Sequence, residues 1–104
     1  MFVAYEVSIE LIRELRPVVG RIRAHDADLA KQMRRAATSI CQAVGEGRKR
    51  VGQDRMHLFR IADGSAGEVE AGLDAAVAWG YLDQEPKARV VLDRMKRLLW
   101  GLTH

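Results

Sequence analysis

Ser39-Ile40-Cys41-Gln42-Ala43-Val44-Gly45-Glu46-Gly47-Arg48-Lys49-Arg50, answered by Ile61-Ala62-Asp63-Gly64-Ser65-Ala66-Gly67-Glu68, is the part of the chain that decides the fold. The first stretch ends a helical pattern rich in small residues and runs into a basic turn. The second lies inside another such pattern. Two small-residue segments joined by a short turn allow two helices to approach closely, which is a pattern for packing and assembly with no catalytic signature in it. Gly47 is placed to end the first helix, as a glycine in a left-handed conformation commonly does.

Outward from this hairpin, apolar residues recur at three- and four-residue steps. Leu29, Met33, Ala36, Ala37, Ile40 and Val44 share one helix face, with Asp26, or Asp28 as the alternative, as its N-cap. Ile9, Ile12, Leu15, Val19 and Ile22 form the stripe of an earlier helix, with Ser8 a candidate cap and Pro17 expected to kink or break it. A long third helix is expected from about Gln53 to Trp79. Its inner stripe is Leu58, Ala62, Ser65, Val69, Gly72, Leu73 and Ala76, with Gly64 and Gly67 beside it. Interior glycines each cost roughly 0.5–1 kcal/mol, so close helix approach is expected to offset them. Gly80 closes this helix, Tyr81-Leu82-Asp83-Gln84 connects, and Glu85-Pro86 opens a fourth helix with the seam Ala88, Val91, Leu92, Met95, Leu98, Leu99 and Leu102. Short connections imply antiparallel neighbours, hence an all-α, up-down-up-down four-helix bundle over residues 1–104, forming a homo-oligomer.

Composition bounds the function. The 104 residues are 48% hydrophobic and 30% charged, as in a globular domain with one core. No apolar run approaches the roughly 20 residues that span a bilayer, and Met1 to Glu10 resembles neither a secretory signal nor a transit peptide, so a cytoplasmic location without membrane association is expected. Cys41 is the single cysteine, which excludes an internal disulfide; its setting between Ile40 and Val44 suggests burial. Net charge is only +3, yet it is divided. Residues 31–60 carry Lys31, Arg34, Arg35, Arg48, Lys49, Arg50, Arg55 and Arg60 against Glu46 and Asp54, a net of +6; residues 61–85 carry Asp63, Glu68, Glu70, Asp74, Asp83 and Glu85 with no base, a net of −6. Such poles can pair with each other, with another subunit or with an outside partner.

With the helices placed, residues 33–82 resemble the four-helix-bundle family first noted as open reading frames within intervening sequences of bacterial 23S rRNA genes. The residues that carry the resemblance are Gln32-Met33-Arg34-Arg35-Ala36-Ala37, Ser39-Ile40, Glu46-Gly47 with Arg50, Phe59, Ile61-Ala62, Gly64-Ser65, Glu68 and Gly80-Tyr81-Leu82. The outer helices fit in position and length. The resemblance implies a homopentamer of small bundles without established enzyme activity. The architecture is also similar to the accessory variability determinant of diversity-generating retroelements, a basic pentamer that partners a reverse transcriptase and nucleic acid. Cys41, Ala43 and Gly45 depart from the residues usual in the family at those positions, which puts a shared function of that turn in question.

The candidate interface for nucleic acid or a partner is Arg48, Lys49, Arg50, Arg55, Arg34 and Arg35; Ser39, Glu46, Gly47, Ser65 and Glu68 form the structural motif. Two readings of Arg48-Lys49-Arg50 stand. Its cations offset the C-terminal dipole of a helix, with Glu46 to Arg50 a favourable pair, or they bind phosphate. Only Phe59 and His57 stand near it as aromatic partners for bases. With the hairpin folded about residues 49 and 50, Lys31 faces Glu68 and Arg35 faces Asp63 and Gly64, so cross-helix ion pairing is expected; Glu70 and Asp74 are left for a neighbouring subunit or the basic fourth helix. Ser65 is expected to bond a carbonyl of its own helix. Trp79 and Trp100 read as packing anchors, Trp100 also as part of a subunit interface. His25, His57 and His104 lack ligand spacing, Glu46 and Glu68 lack the Glu-x-x-His motifs of di-metal bundles, and no base positions Ser65 as a nucleophile. The expectation is a non-enzymatic scaffold or adaptor without metal or cofactor that binds RNA or a nucleic-acid-processing partner such as a reverse transcriptase. The alternative is a protein-interaction module.

Overall fold

In the computed structural model, which describes residues 1–104, the chain forms four helices: α1 (Val3–Arg23), α2 (Ala27–Gly47), α3 (Gly52–Ala78) and α4 (Ala88–Thr103). Each packs against its neighbours in chain order, and α4 closes the ring against α1. The result is an antiparallel up-down-up-down bundle with a longest extent of 42 Å. The α1–α2 turn and the α3–α4 loop lie at one end; the α2–α3 turn and both chain ends lie at the other.

The core lies where the stripes meet: Leu11, Leu15 and Ile22 of α1, Met33, Ile40 and Val44 of α2, Phe59, Val69 and Leu73 of α3, and Leu92, Met95 and Leu99 of α4 are fully enclosed. The α1 stripe is rotated from the expected one. Leu11 and Val18 point inward, while Ile9 and Ile12 are half-buried at the rim. On α3 the deep position belongs to Phe59, and Leu58 is half-buried.

Asp26 caps α2 by accepting the Leu29 N–H at 2.9 Å, satisfying one of the free donors of its first turn. Pro17 does not break α1, which runs unbroken from Val3 to Arg23. Proline and the Arg13 carbonyl that it leaves without a donor are both on exposed residues, so water can satisfy that oxygen and the lost bond is tolerated. Ser8 is no cap; it is buried, and its hydroxyl donates to the Tyr5 carbonyl at 2.6 Å.

Gly47 differs from expectation in an informative way. It keeps a negative φ within the last turn of α2, and the left-handed glycines are Gly52 (φ +62°) and Gly80 (φ +77°). Gly47 is required for space: a Cβ there would stand 2.8 Å from Phe59 Cε1. Gly72 acts likewise, with Met33 Cγ 2.6 Å from its would-be Cβ. Gly64 and Gly67 lie on the open side of α3 with nothing within 4 Å, so close packing within the bundle does not account for them. At the far end, Gly80 N–H bonds to Val77 O (3.0 Å) and Tyr81 N–H to Ala76 O (2.9 Å), the paired bonds of a Schellman motif. After the loop, Pro86 and Lys87 accept from Arg89 and Val90 N–H in a tight turn that leads into α4 at Ala88.

Candidate nucleic-acid interface

The pairs Ser39–Ser65, Met33–Gly72 and Gly47–Phe59 centre the α2–α3 hairpin near Gly52–Gln53 rather than at Lys49–Arg50. That shift undoes the expected ion pairs. Lys31 and Arg35 now sit level with Asp74 and Glu70, and α4 has taken both acids: Lys96 Nζ lies 2.6 Å from Glu70 Oε2, and Arg89 Nη1 lies 2.8 Å from Asp74 Oδ1. Arg89 also holds Glu85, and these two carboxylates outweigh the effect of its burial and raise its pKa. Two of the four acids in the acidic segment of α3 are thus paired within the protomer, Asp63 and Glu68 are left unpaired, and the pairing across α2 and α3 does not form.

Ser39 and Ser65 do meet, Ser65 Oγ donating to Ser39 Oγ at 2.9 Å, so Ser65 bonds across the helices instead of to its own backbone. Glu46 receives Arg50 at 2.9 Å on the surface. Glu68 is exposed without an ion pair, beside a shallow groove with Gln32, Met33 and Ala71. No group of three or more His, Cys, Asp or Glu side chains is close enough to hold a metal ion. Cys41 is half-buried rather than enclosed.

The six basic candidates separate into two patches. Arg48, at the C-terminal cap of α2, stands fourteen positions after Arg34, about 21 Å at 1.5 Å per residue. At the turn, Gly45 leaves room for the Tyr5 ring, whose Cε1 stands 3.0 Å from the would-be Cβ, and the Arg48 guanidinium lies 3.9 Å from the centroid of that ring. Arg55 sits 5.4 Å from the Phe2 ring and 5.2 Å from the Phe59 ring, which stack on each other at 5.9 Å. Arg50 reaches Glu46 and, at 4.0 Å, Asp54. The sequence reading missed Phe2 and Tyr5 here because they come from the opposite end of the chain. Lys49 alone of the turn cations has neither an ion pair nor an aromatic partner.

The second patch is larger than the sequence suggested. Arg34 lines a groove between α1 and α2 with Arg16 and Arg23, over Ile12, Leu15, Val19 and Ala37. On its other side it joins Lys31, Arg35, Thr38 and Gln42. No carboxylate lines either hollow, and none of these five cations is in an ion pair. Arg16 and Arg23 lie outside the basic segment 31–60, so charge along the chain does not reveal them as part of this patch. The antiparallel turn at Asp26 folds the basic C-terminal half of α1 beside the basic N-terminal half of α2.

Trp79 and Trp100 are not packing anchors; they are 73% and 63% exposed. Trp100 stacks on His104 at 4.4 Å. Trp79 stacks on Tyr81 at 6.4 Å, and Tyr81 on His25 at 5.1 Å, with interplanar angles of 15° and 7°. The Tyr81 hydroxyl faces Asp26 Oδ2 at 3.4 Å; partial burial first, then the Asp26 charge and this hydrogen bond, raise its pKa above the ordinary 10.0.

No curated protein matches significantly. A crystal structure from Bacteroides thetaiotaomicron, described as a protein with unknown function from the S23 ribosomal protein family, superposes with a TM-score of 0.85 over 96% of this chain and 97% of that one, at 19% identity. That likeness shows a shared fold. The profile of the 23S rRNA-intervening sequence proteins matches residues 2–101, and the chain therefore belongs to the 23S rRNA-intervening sequence protein family.

Proposed function

We propose that this bundle is a non-enzymatic scaffold or adaptor that binds RNA, or a nucleic-acid-processing partner together with its RNA, through basic patches repeated around a homo-oligomer. The observation that carries the reading is the α1–α2 face: Arg16, Arg23, Lys31, Arg34 and Arg35 converge with no carboxylate lining the grooves between them. Cations left without intramolecular partners are available to displace counterions from phosphate. The contact between α3 and α4 supplies the contrast, since Asp74 and Glu70 there are engaged by Arg89 and Lys96. Family membership in the 23S rRNA-intervening sequence proteins supports RNA as the polyanion. Repetition on a rigid oligomer adds avidity to patches that are weak singly.

The test is retention of labelled ribosomal RNA fragments across a salt series. Affinity falls linearly in log–log form, and removing Arg16 and Arg34 together reduces the slope by roughly 1 per lost phosphate contact. Binding absent at low ionic strength, or insensitive to salt, rejects the reading. A protein-interaction module without nucleic acid is the second reading, favoured by the exposure of Val90 (72%) and Trp100 on α4. In that case Arg48→Ala with Arg50→Ala leaves assembly intact and weakens capture of a protein partner only.

A further inference from the structure

We infer that the row of rings His25, Tyr81 and Trp79 is a stacking platform for an unpaired RNA base, placed where the α1–α2 basic face reaches the end of the bundle. The inference rests on the RNA-binding reading above and specifies the form of RNA: a single-stranded loop or end rather than continuous duplex. Tyr81 is the central ring, nearly parallel to both neighbours, and Trp79 ends the row with a largely open indole. Every base offers a π-face, so such a surface accepts bases without regard to sequence.

The rings are fixed before any ligand arrives. The left-handed Gly80 reverses the chain between Trp79 and Tyr81, the Schellman bonds lock that reversal, and Asp26 holds the Tyr81 hydroxyl while capping α2. A preordered platform loses little conformational freedom on binding. Charge divides the task between two surfaces. Asp26, Asp28 and Asp83 stand on the two connections or beside them, and Asp83, Glu85 and Glu14 line the hollow beside Tyr81 with Arg21 and Lys87. This end therefore does not draw phosphate to itself. Arg23 lies in the basic groove two residues before His25. A strand whose phosphates lie along Arg34, Arg16 and Arg23 delivers its next base to the rings. Duplex RNA, with its bases already stacked on one another, has none to offer.

The test uses the full chain carrying Trp100→Phe, so that Trp79 is the only indole emitter. Titration with a short single-stranded RNA is expected to quench Trp79 fluorescence saturably, while the same sequence annealed as duplex leaves it unchanged. Trp79→Ala is expected to weaken single-strand binding by about 5- to 150-fold, the range for loss of one base–aromatic stack, without altering the salt slope. Trp79→Phe, which keeps a ring, restores most of the affinity and guards against a folding defect in the alanine variant. Salt-dependent RNA binding with unchanged Trp79 emission and wild-type affinity in Trp79→Ala overturns the platform and leaves the RNA reading standing. A changed subunit number in Trp79→Ala with RNA affinity intact assigns the rings to a protein contact and also overturns it. Absence of any RNA binding removes both.

Discussion

The glycines of the inner hairpin answer to different forces. At Gly47 an added methyl meets the rigid Phe59 ring at 2.8 Å and Leu58 Cβ at 3.2 Å. The gain in helix propensity of about 0.5–1 kcal/mol opposes overpacking of about 1–3 kcal/mol, so Gly47→Ala is expected to lower the stability measured by urea unfolding, by up to about 2.5 kcal/mol net. Gly64→Ala and Gly67→Ala meet open space within the protomer and are expected to raise it by about 0.5–1 kcal/mol each. A loss in place of that gain would mean that another subunit packs on this side of α3. The sequence could place all these glycines on α3 or at the end of α2, but not divide them, because the division depends on which side of each helix meets Phe59 and Met33. Gly45 was legible only as a departure from the family pattern; its reason is the Tyr5 ring and the Arg48 guanidinium upon it.

Among the elements, the connection between α3 and α4 carries a titration that can be followed. Tyr81 prefers its protonated form in the folded state, having a pKa raised above 10.0 by partial burial, the Asp26 charge and the hydrogen bond to it. A raised folded pKa means that the folded state binds the proton more tightly, so the contribution is complete below about pH 10 and is lost as pH climbs through the raised value. Thermal melts between pH 9 and 11.5 are therefore expected to decline less steeply for Tyr81→Phe than for the parent chain. Asp26→Ala removes the cap as well as the tyrosine's partner, with an expected cost of about 1 kcal/mol at neutral pH, read from denaturant midpoints. Two of the caps were legible, Asp26 and Gly80 both serving as their residue types suggest, whereas Ser8 and Gly47 are drawn into packing instead of capping. The helix stripes were legible too, apart from the rotation of α1. Hairpin register was not, since a turn's centre depends on whether residues such as Lys49 and Arg50 extend α2 or leave it, and charge complementarity pointed to the wrong pairing. Glu70 and Asp74 were recognised as acids without a base across the hairpin, and α4 supplies their partners.

Across the whole molecule, charge is arranged by folding rather than by sequence segment. Counting along the chain located Arg34 and Arg35 but missed Arg16 and Arg23, because the two arms of a helical hairpin share a face that no linear window contains. Charge reversal at Arg16 and Arg34 is expected to reduce RNA affinity severalfold more than reversal at Arg50, which is already engaged by Glu46 and Asp54; anisotropy titrations at fixed salt would compare them. If the oligomer is as proposed, light scattering gives a mass that is a fixed multiple of the 11.7 kDa protomer across a dilution series.

Four antiparallel helices return the chain to its starting side, so Phe2 and Leu102 border one hollow beside the Arg48 corner. An immobilising tag or fluorescent fusion at either terminus would crowd Tyr5 and Arg48 while leaving the Trp79 side facing outward. Surface capture through such a tag would accordingly under-report ligands of the corner and report faithfully those of the opposite pole.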